Sequence, residues 1–507
     1  MASPSSIPLS EAEQIVELQK ELAWAKLKIQ VLEERLRLER IRKYGPGSET
    51  LSDAQLQLLD LEPGVSNAEV QAESERKPLT ATAEKQQKRR NHPGRQELPA
   101  ALARVERVIA CTPEQCTCKA CGQAKAVIGY DVSEQLDVKP AQYFVMVTRR
   151  EKRACKHCEE GGVAAAPVPE RIIEKSLVSD RVVIDTVVAK YSDHLPLYRQ
   201  SAILQREAGV EIGRATLDGW VMRVGELLIP LVAVMRRELL SGTYIQADET
   251  PVDVQLRDGR GQNHQAYLWQ YSRPGGEVVF DFCLGRGREG PKDFLGPFEG
   301  ILQTDGYAAY DRVGGPKLVH AGCWAHSRRK FFDAVKLNPD DAVATRIVKL
   351  IDELFGIDAM AREEKLDRAA RHVLRLERAQ PLLEIIRGEV EAARDASLPA
   401  SVLGKAANYT LLQWKKLTRF LEHPELELSN NLAENSMRPV ALGRKNWIHV
   451  GSQKAGPKVA AILSIVETCR RMKIPIRDYL AAVLPGIADV SIQRLAALTP
   501  AAWAARQ

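Results

Sequence analysis

Three acids stand in contexts suited to phosphodiester chemistry. Asp248 lies in Ala247-Asp248-Glu249-Thr250-Pro251-Val252. Asp305 ends a short apolar run in Leu302-Gln303-Thr304-Asp305-Gly306-Tyr307. Glu434 comes from a later segment, Leu428-Ser429-Asn430-Asn431-Leu432-Ala433-Glu434-Asn435. Cleaving or exchanging a phosphodiester is an in-line displacement, with charge growing on the attacking and leaving oxygens. Two metal ions about 3.5–4 Å apart stabilise both. Magnesium takes oxygen ligands and keeps several waters, so a few carboxylates suffice to hold it. On local grounds Glu434 could equally be a solvated glutamate at a helix start. Ser429 reads as the N-cap, Asn431 and Glu434 share a helix face, and Pro439 is expected to kink or end the helix. Arg438, Arg444, Lys445 and Trp447 supply cations and an aromatic suited to nucleic acid near the same end. Glu249, Asp253 and Asp311 are expected to face solvent.

The cysteines offer a second chemistry. Cys118-x-x-Cys121 and Cys155-x-x-Cys158 form two hooks that can present four thiolates to zinc. Cys116 could replace a member of the first hook, and Cys111 is also near. Tyr143, Val145 and Val147 alternate and predict a hairpin that returns the chain between the hooks. Cys283, Cys323 and Cys469 stand alone and read as small buried apolar residues.

The elements that must carry these residues follow from patterning. The catalytic acids need a sheet. Thr243 to Val254 reads as a strand interrupted at Asp248-Glu249-Thr250-Pro251. Further strands are expected at Ala266 to Tyr271, Val278 to Leu284, Ile301 to Thr304 and Lys317 to Ala321, with short helices at Lys292 to Phe298 and Ala325 to Val335. Three antiparallel strands followed by helix, strand, helix and strand is the order of a ribonuclease-H-like α/β core, in which the first and fourth strands are neighbours. Residues 338–425 read as a helical insertion, with Val343, Ile347, Leu350, Ile351 and Leu354 periodic. Upstream, Ile15, Leu22, Ile29 and Leu36 with Leu18, Ala25 and Leu32 form a heptad seam. Such a seam calls for a partner helix. Residues 48–97 are polar and end in Lys85, Lys88, Arg89, Arg90 and Arg95, an electrostatic footprint for phosphate or a solvated linker.

The chain has 507 residues, 45% of them hydrophobic, and a net charge of +6. That length calls for several domains, and the composition excludes global disorder. No apolar run reaches membrane-spanning length, and no signal peptide is evident, which points to the cytoplasm and to reduced cysteines.

The segments around the three acids resemble the bacterial insertion-sequence sixty-six family of DDE transposases. The resemblance extends to Cys323-Trp324-Ala325-His326-Ser327-Arg328-Arg329-Lys330-Phe331, to Arg438-Pro439 with Leu442-Gly443-Arg444-Lys445-Asn446-Trp447, and to Tyr191-Ser192-Asp193-His194-Leu195-Pro196-Leu197-Tyr198-Arg199-Gln200. It also takes in the cysteine hooks with Asp131-Val132-Ser133-Glu134-Gln135-Leu136, and runs in order from about residue 14 nearly to the end. It implies a DDE triad of Asp248, Asp305 and Glu434 holding magnesium or manganese, and zinc on Cys118, Cys121, Cys155 and Cys158. It also implies element-end and target DNA as partners and small accessory proteins from the same element, while the heptad seam calls for self-association. Cys111 and Cys116 are extra to the usual four-cysteine pattern, and Ser429 stands where members often carry an acid. Cys323-x-x-His326 resembles a motif of related transposases between the second and third acids, and with no second hook evident it reads as packing or DNA contact before a ligand pair. The expected organisation is a coiled coil (1–47), a basic linker (48–97), a zinc-finger domain (98–169), a helical DNA-binding domain (170–240), a core split at 241–337 and 426–470 around the insertion 338–425, and a C-terminal domain (471–507). The competing expectation is a zinc-containing DNA-binding protein that no longer cuts.

Overall fold

The computed structural model describes residues 166–506 apart from Lys175 and residues 257–260, together with 142–154, 163–165, Gln123 and seven positions between Gln19 and Leu36. Two compact units are distinguished, Thr80–Val145 and the rest of the chain. The basic run at Lys88, Arg89, Arg90 and Arg95 lies outside the described residues, as do Cys118, Cys121, Cys155 and Cys158. The seven described positions between Gln19 and Leu36 are helical. Among them Leu22, Ile29, Leu32 and Leu36 are each at least half exposed, so this part of the seam is bare in the single chain.

The hairpin expected at Tyr143 to Val147 is displaced. Residues 142–150 carry no regular secondary structure, and Val145 and Val147 are exposed. Antiparallel pairing instead joins β1 (Lys152–Ala154) to β2 (Val163–Ala165). Alternation marks which face a strand would bury, but a strand exists only where a neighbour satisfies its amides.

The central sheet has the order β5-β4-β3-β6-β7, with β8 also paired to β3. Its strands are β3 (Tyr244–Gln255), β4 (His264–Ser272), β5 (Val278–Cys283), β6 (Ile301–Gln303), β7 (Val319–Ala321) and β8 (His449–Ser452). β3, β4 and β5 are antiparallel, whereas β6 joins β3, and β7 joins β6, in parallel. The register sets Tyr244 beside Ile301 and Gln246 beside Gln303. Asp248, still within β3, and Asp305, just past the end of β6, are each two residues further on and therefore lie at the same level.

Contrary to the expected interruption, β3 runs unbroken through Asp248 to Pro251. Proline is tolerated because the ladder on that side has a gap. Pairing with β6 stops at Gln246, and pairing with β8 begins at Asp253. The missing N–H of Pro251 thus costs no strand-to-strand bond.

Cores cover both faces of the sheet. On one side Ile245, Ala247 and Leu302 pack with helices α1 (Asp180–Tyr191), α2 (Leu197–Ala208), α3 (Arg214–Leu240) and a later helix over Gly456–Arg471. Gly225 of α3 permits close approach there, since a Cβ would stand 2.8 Å from the Lys458 carbonyl oxygen. The later helix also covers the edge strand. Ser464 Oγ accepts from the Phe280 amide at 2.8 Å and Thr468 Oγ1 from Val278 at 3.0 Å, blunting an edge that would otherwise be open to strand addition. On the other face Tyr244, Ile301 and Ala321 pack with Trp324, Phe331, Ile347 and Ile386. These come from α4 (Trp324–Leu337) and the helical stretch that follows it, comprising α5 (Ala342–Glu363), α6 (Arg368–Leu374), a π-helical turn at Arg375–Ala379, α7 (Gln380–Ala396) and α8 (Val402–Leu412). The chain then enters α9 (Asn431–Trp447), which carries Glu434. Pro439 lies inside this helix, so of the expected kink or end, the end is absent. Among the described residues no helix is long and apolar enough to cross a membrane.

Candidate active site

The gap beside β3 is where α9 docks. Its N-cap is Asn430 rather than Ser429, and the Asn430 side chain makes no cap. Asn430 Nδ2 instead donates to the Ala247 carbonyl at 3.3 Å. At the other end of the gap Arg444 donates to Thr250 Oγ1 at 3.0 Å and to the Pro251 carbonyl at 2.6 Å. Side chains of the helix thereby bond the part of β3 that has no strand beside it. A buried polar network fixes the approach to α9. Gln246 Nε2 donates to Gln303 Oε1 at 2.9 Å and to the Ser429 carbonyl at 3.1 Å. Gln303 Nε2 donates to the carbonyls of Gly322 at 3.0 Å and Glu427 at 2.7 Å.

These contacts gather four carboxylates. Asp248, mostly buried, is pushed up to about 8, first by burial and then by the negative charges of Glu249, Glu434 and Asp305. Asp305 accepts the Tyr307 amide at 2.8 Å. Tyr409 of α8 donates to the Asp305 carbonyl at 2.6 Å, so the helical insertion holds the second acid directly. Glu434 faces Arg329 at 3.4 Å through one oxygen and His326 Nδ1 at 3.5 Å through the other. Burial holds His326 below its ordinary range, although Glu434 and Asp305 oppose that shift. Cys323 precedes α4 on the same side, and burial pushes its thiol up to about 12 against the pull of the Asn430, His326 and Ala325 amides.

Glu249 corrects the expectation of a solvent-facing neighbour. Its side chain is 2% exposed and pairs with Arg286 at 2.6 Å. Tyr310 donates to its other oxygen at 2.9 Å, and the Arg286 guanidinium stacks 4.1 Å from the Tyr307 ring centre. Burial raises the Glu249 carboxyl, with Asp305 adding to the shift and Arg286 and Tyr310 opposing it. The adjacent acids Asp248-Glu249 and the run Gly285-Arg286-Gly287-Arg288 were the available sequence signals. Tyr310 and Tyr409 carried none, and Arg329 only its place in the family-like segment. Asp311 likewise is paired, with Lys416 at 2.9 Å. Glu427, the other acid near Glu434 in sequence, bonds Arg362 and Arg371.

The cations expected at the end of α9 divide. Arg438 and Lys445 are exposed, while Arg444 is occupied by β3. Trp447 is 9% exposed and belongs to the core, so it presents little ring face to a base. The apolar packing that continues α9 past Pro439 has claimed it.

Asp248, Asp305 and Glu434, near enough for the other two to raise Asp248, make a donor set that a divalent cation would fit. Asp248, Asp305 and Glu434 would hold it, and the unpartnered buried oxygen Glu434 Oε1 is consistent with a missing positive partner.

Comparison with known proteins gives three family matches. Residues 175–458 match "Transposase IS66 family", residues 115–159 "zinc-finger binding domain of transposase IS66", and residues 31–107 "Transposase C of IS166 homeodomain". The second match spans all four hook cysteines. Similar curated proteins include three uncharacterized proteins of Sinorhizobium fredii. The chain is 33% identical to y4qI over 85% of its own length and 79% of that protein. It is 29% identical to y4hP over 94% of its length and 88% of that protein. It is 32% identical to y4jD over 81% of its length and 82% of that protein.

Proposed function

Since the chain belongs to the IS66 family of transposases, we propose that it is an active DDE enzyme that cleaves and joins DNA through Asp248, Asp305 and Glu434. The observation that carries this reading is the strand register. Pairing Gln246 with Gln303 brings two acids, distant in sequence, to one level of the sheet, and α9 docks Glu434 beside them. The strand order, three antiparallel and two further parallel strands, supports a ribonuclease-H-like core.

The triad carboxylates would hold the divalent ions that engage the scissile phosphate, which carboxylates alone would repel. When bound, magnesium or manganese supplies charge stabilisation to the attacking and leaving oxygens. Arg329 holds Glu434, the Tyr307 amide and Tyr409 hold Asp305, and Asp248 is mostly buried. Arg438 and Lys445, exposed on α9, contact DNA phosphates. Zinc on Cys118, Cys121, Cys155 and Cys158 orders the finger, and the N-terminal seam pairs chains so that two element ends are held together.

The test is magnesium- or manganese-dependent cleavage of DNA carrying the inverted repeats that flank the element. Asp248→Asn, Asp305→Asn and Glu434→Gln should each keep the fold and DNA binding. Each should lose more than the roughly 10–100-fold that outer-shell partners of a metal typically cost. A double substitution should be little worse than a single one, because the acids act as a unit. Cleavage at the normal rate by all three variants overturns the assignment. DNA binding by the unaltered protein without any cleavage would instead favour a binding protein that no longer cuts.

A further inference from the structure

Cys323 and His326 belong to the family-like segment but have no part in the proposed cleavage beyond the contact of His326 with Glu434. Cys323 is the N-cap of α4, His326 lies one turn into that helix, and Glu434 comes from α9. One ligand atom from each, Sγ, an imidazole nitrogen and a carboxylate oxygen, lie within 4.8 Å of one another. It is the one such cluster among the described residues.

Two of these atoms are buried without a hydrogen-bond partner. They are His326 Nδ1 and Glu434 Oε1. They face each other across 3.5 Å, too far for a good hydrogen bond and close enough to share a third body. Arg329 approaches the other Glu434 oxygen, so it does not relieve Oε1. Cys323 is buried and in no disulfide. Buried polar atoms without partners are unfavourable, and here they converge on one point next to a thiol.

We propose that Cys323, His326 and Glu434 form a site for one thiophilic divalent cation of the zinc class, separate from the cysteine hooks. Sulfur and imidazole donors select zinc over magnesium, which takes oxygen ligands. Three protein ligands leave a fourth position open, as in exchangeable zinc sites rather than closed structural ones. On binding, the metal–sulfur bond forms and the thiol proton is released to solvent. The Asn430, His326 and Ala325 amides, which already oppose the effect of burial on this thiol, together with the bound cation would offset the resulting charge. The site shares Glu434 with the proposed triad, but its argument rests on the position of that residue and not on the cleavage reading.

The experiment uses the full chain, stripped with a chelator, reloaded with zinc alone and dialysed. Elemental analysis should find about one zinc per chain more in the unaltered protein than in Cys323→Ser or His326→Gln. Loaded with cobalt, the unaltered protein minus Cys323→Ser should leave a thiolate-to-cobalt charge-transfer band. The hook cysteines are common to all samples and cancel. Circular dichroism reads folding. Should Cys323→Ser misfold, His326→Gln, which keeps the buried thiol, decides alone. Equal zinc in the unaltered protein and the folded variants overturns the proposal. No cleavage is measured, so failure of this site and failure of the transposase reading are separate results.

Discussion

Glu249 shows what a single residue gains from its surroundings. Beside Asp248 on β3 it should point to the opposite face of the sheet, yet it stays coupled to the same pocket through Asp305 and is clamped by Arg286 and Tyr310. Glu249→Gln has two opposed effects. It removes a negative neighbour of Asp248, and it weakens the Arg286 clamp that also engages Tyr307 and the loop after Asp305. The second effect should prevail, because displaced ligands cost more than relieved repulsion. We expect cleavage to fall by about 10–100-fold, the range for groups that orient ligands without binding the metal, with DNA affinity kept. Single-turnover cleavage measures it, and a wild-type rate would make Glu249 structural only.

At the scale of elements, the third acid depends on how the helical insertion is anchored. Arg375, 1% exposed, starts the π-helical turn and donates to the carbonyls of Phe420, Pro424 and Leu426 and to Asp358, itself 2% exposed. Arg371 and Arg362 join Asp358 to Glu427, just before α9. Asp358→Ala would leave Arg375 as an uncompensated buried charge, and should destabilise the protein by about 3–5 kcal/mol in urea unfolding. A loss near zero would show that the cluster relaxes to water. The same carboxylate sets an acid limit. Burial alone would raise Asp358, but the charges and hydrogen bonds of Arg375 and Arg371 outweigh it and hold the group below its ordinary value. A carboxylate depressed in the fold contributes stability that is complete above its unfolded value of about 4. That contribution is lost as pH falls below this value. Denaturant titrations between about pH 6 and pH 3 should therefore show a drop that Asp358→Asn flattens.

For the whole molecule, the issue is how chains and DNA are gathered. Leu22, Ile29, Leu32 and Leu36 form an apolar stripe that is at least half exposed in one chain. Leu22→Pro with Ile29→Pro, each costing roughly 3 kcal/mol within a helix, should reduce the oligomer. Light scattering after size exclusion reads the change, and an identical mass for both proteins removes the seam from assembly. Neutralising Lys88, Arg89, Arg90 and Arg95 should weaken DNA binding and flatten its dependence on salt, since each phosphate contact releases counterions. An unchanged slope of affinity against salt would assign the run to a solvated linker.

Much of this was legible in the chain. Apolar periodicity placed the strands of the core and the helices on either side of it to within a few residues, because burial repeats every second residue in strands and about every 3.6 in helices. The motifs around Asp248, Asp305 and Glu434 identified the family. Tertiary structure decided what local patterning cannot. Pro251 in Asp248-Glu249-Thr250-Pro251 looked like an interruption, and Pro439 looked like a stop. Each is tolerated because of its surroundings: on one side no strand lies beside Pro251, where Arg444 and Asn430 bond the carbonyls of β3, and core packing carries α9 onward past Pro439. Trp447 and Glu249 looked exposed because their own neighbours are polar, whereas burial is set by residues distant in sequence. The pairing of Gln246 with Gln303, which levels the two aspartates, is a long-range register, and no short window of sequence contains the energy that selects it.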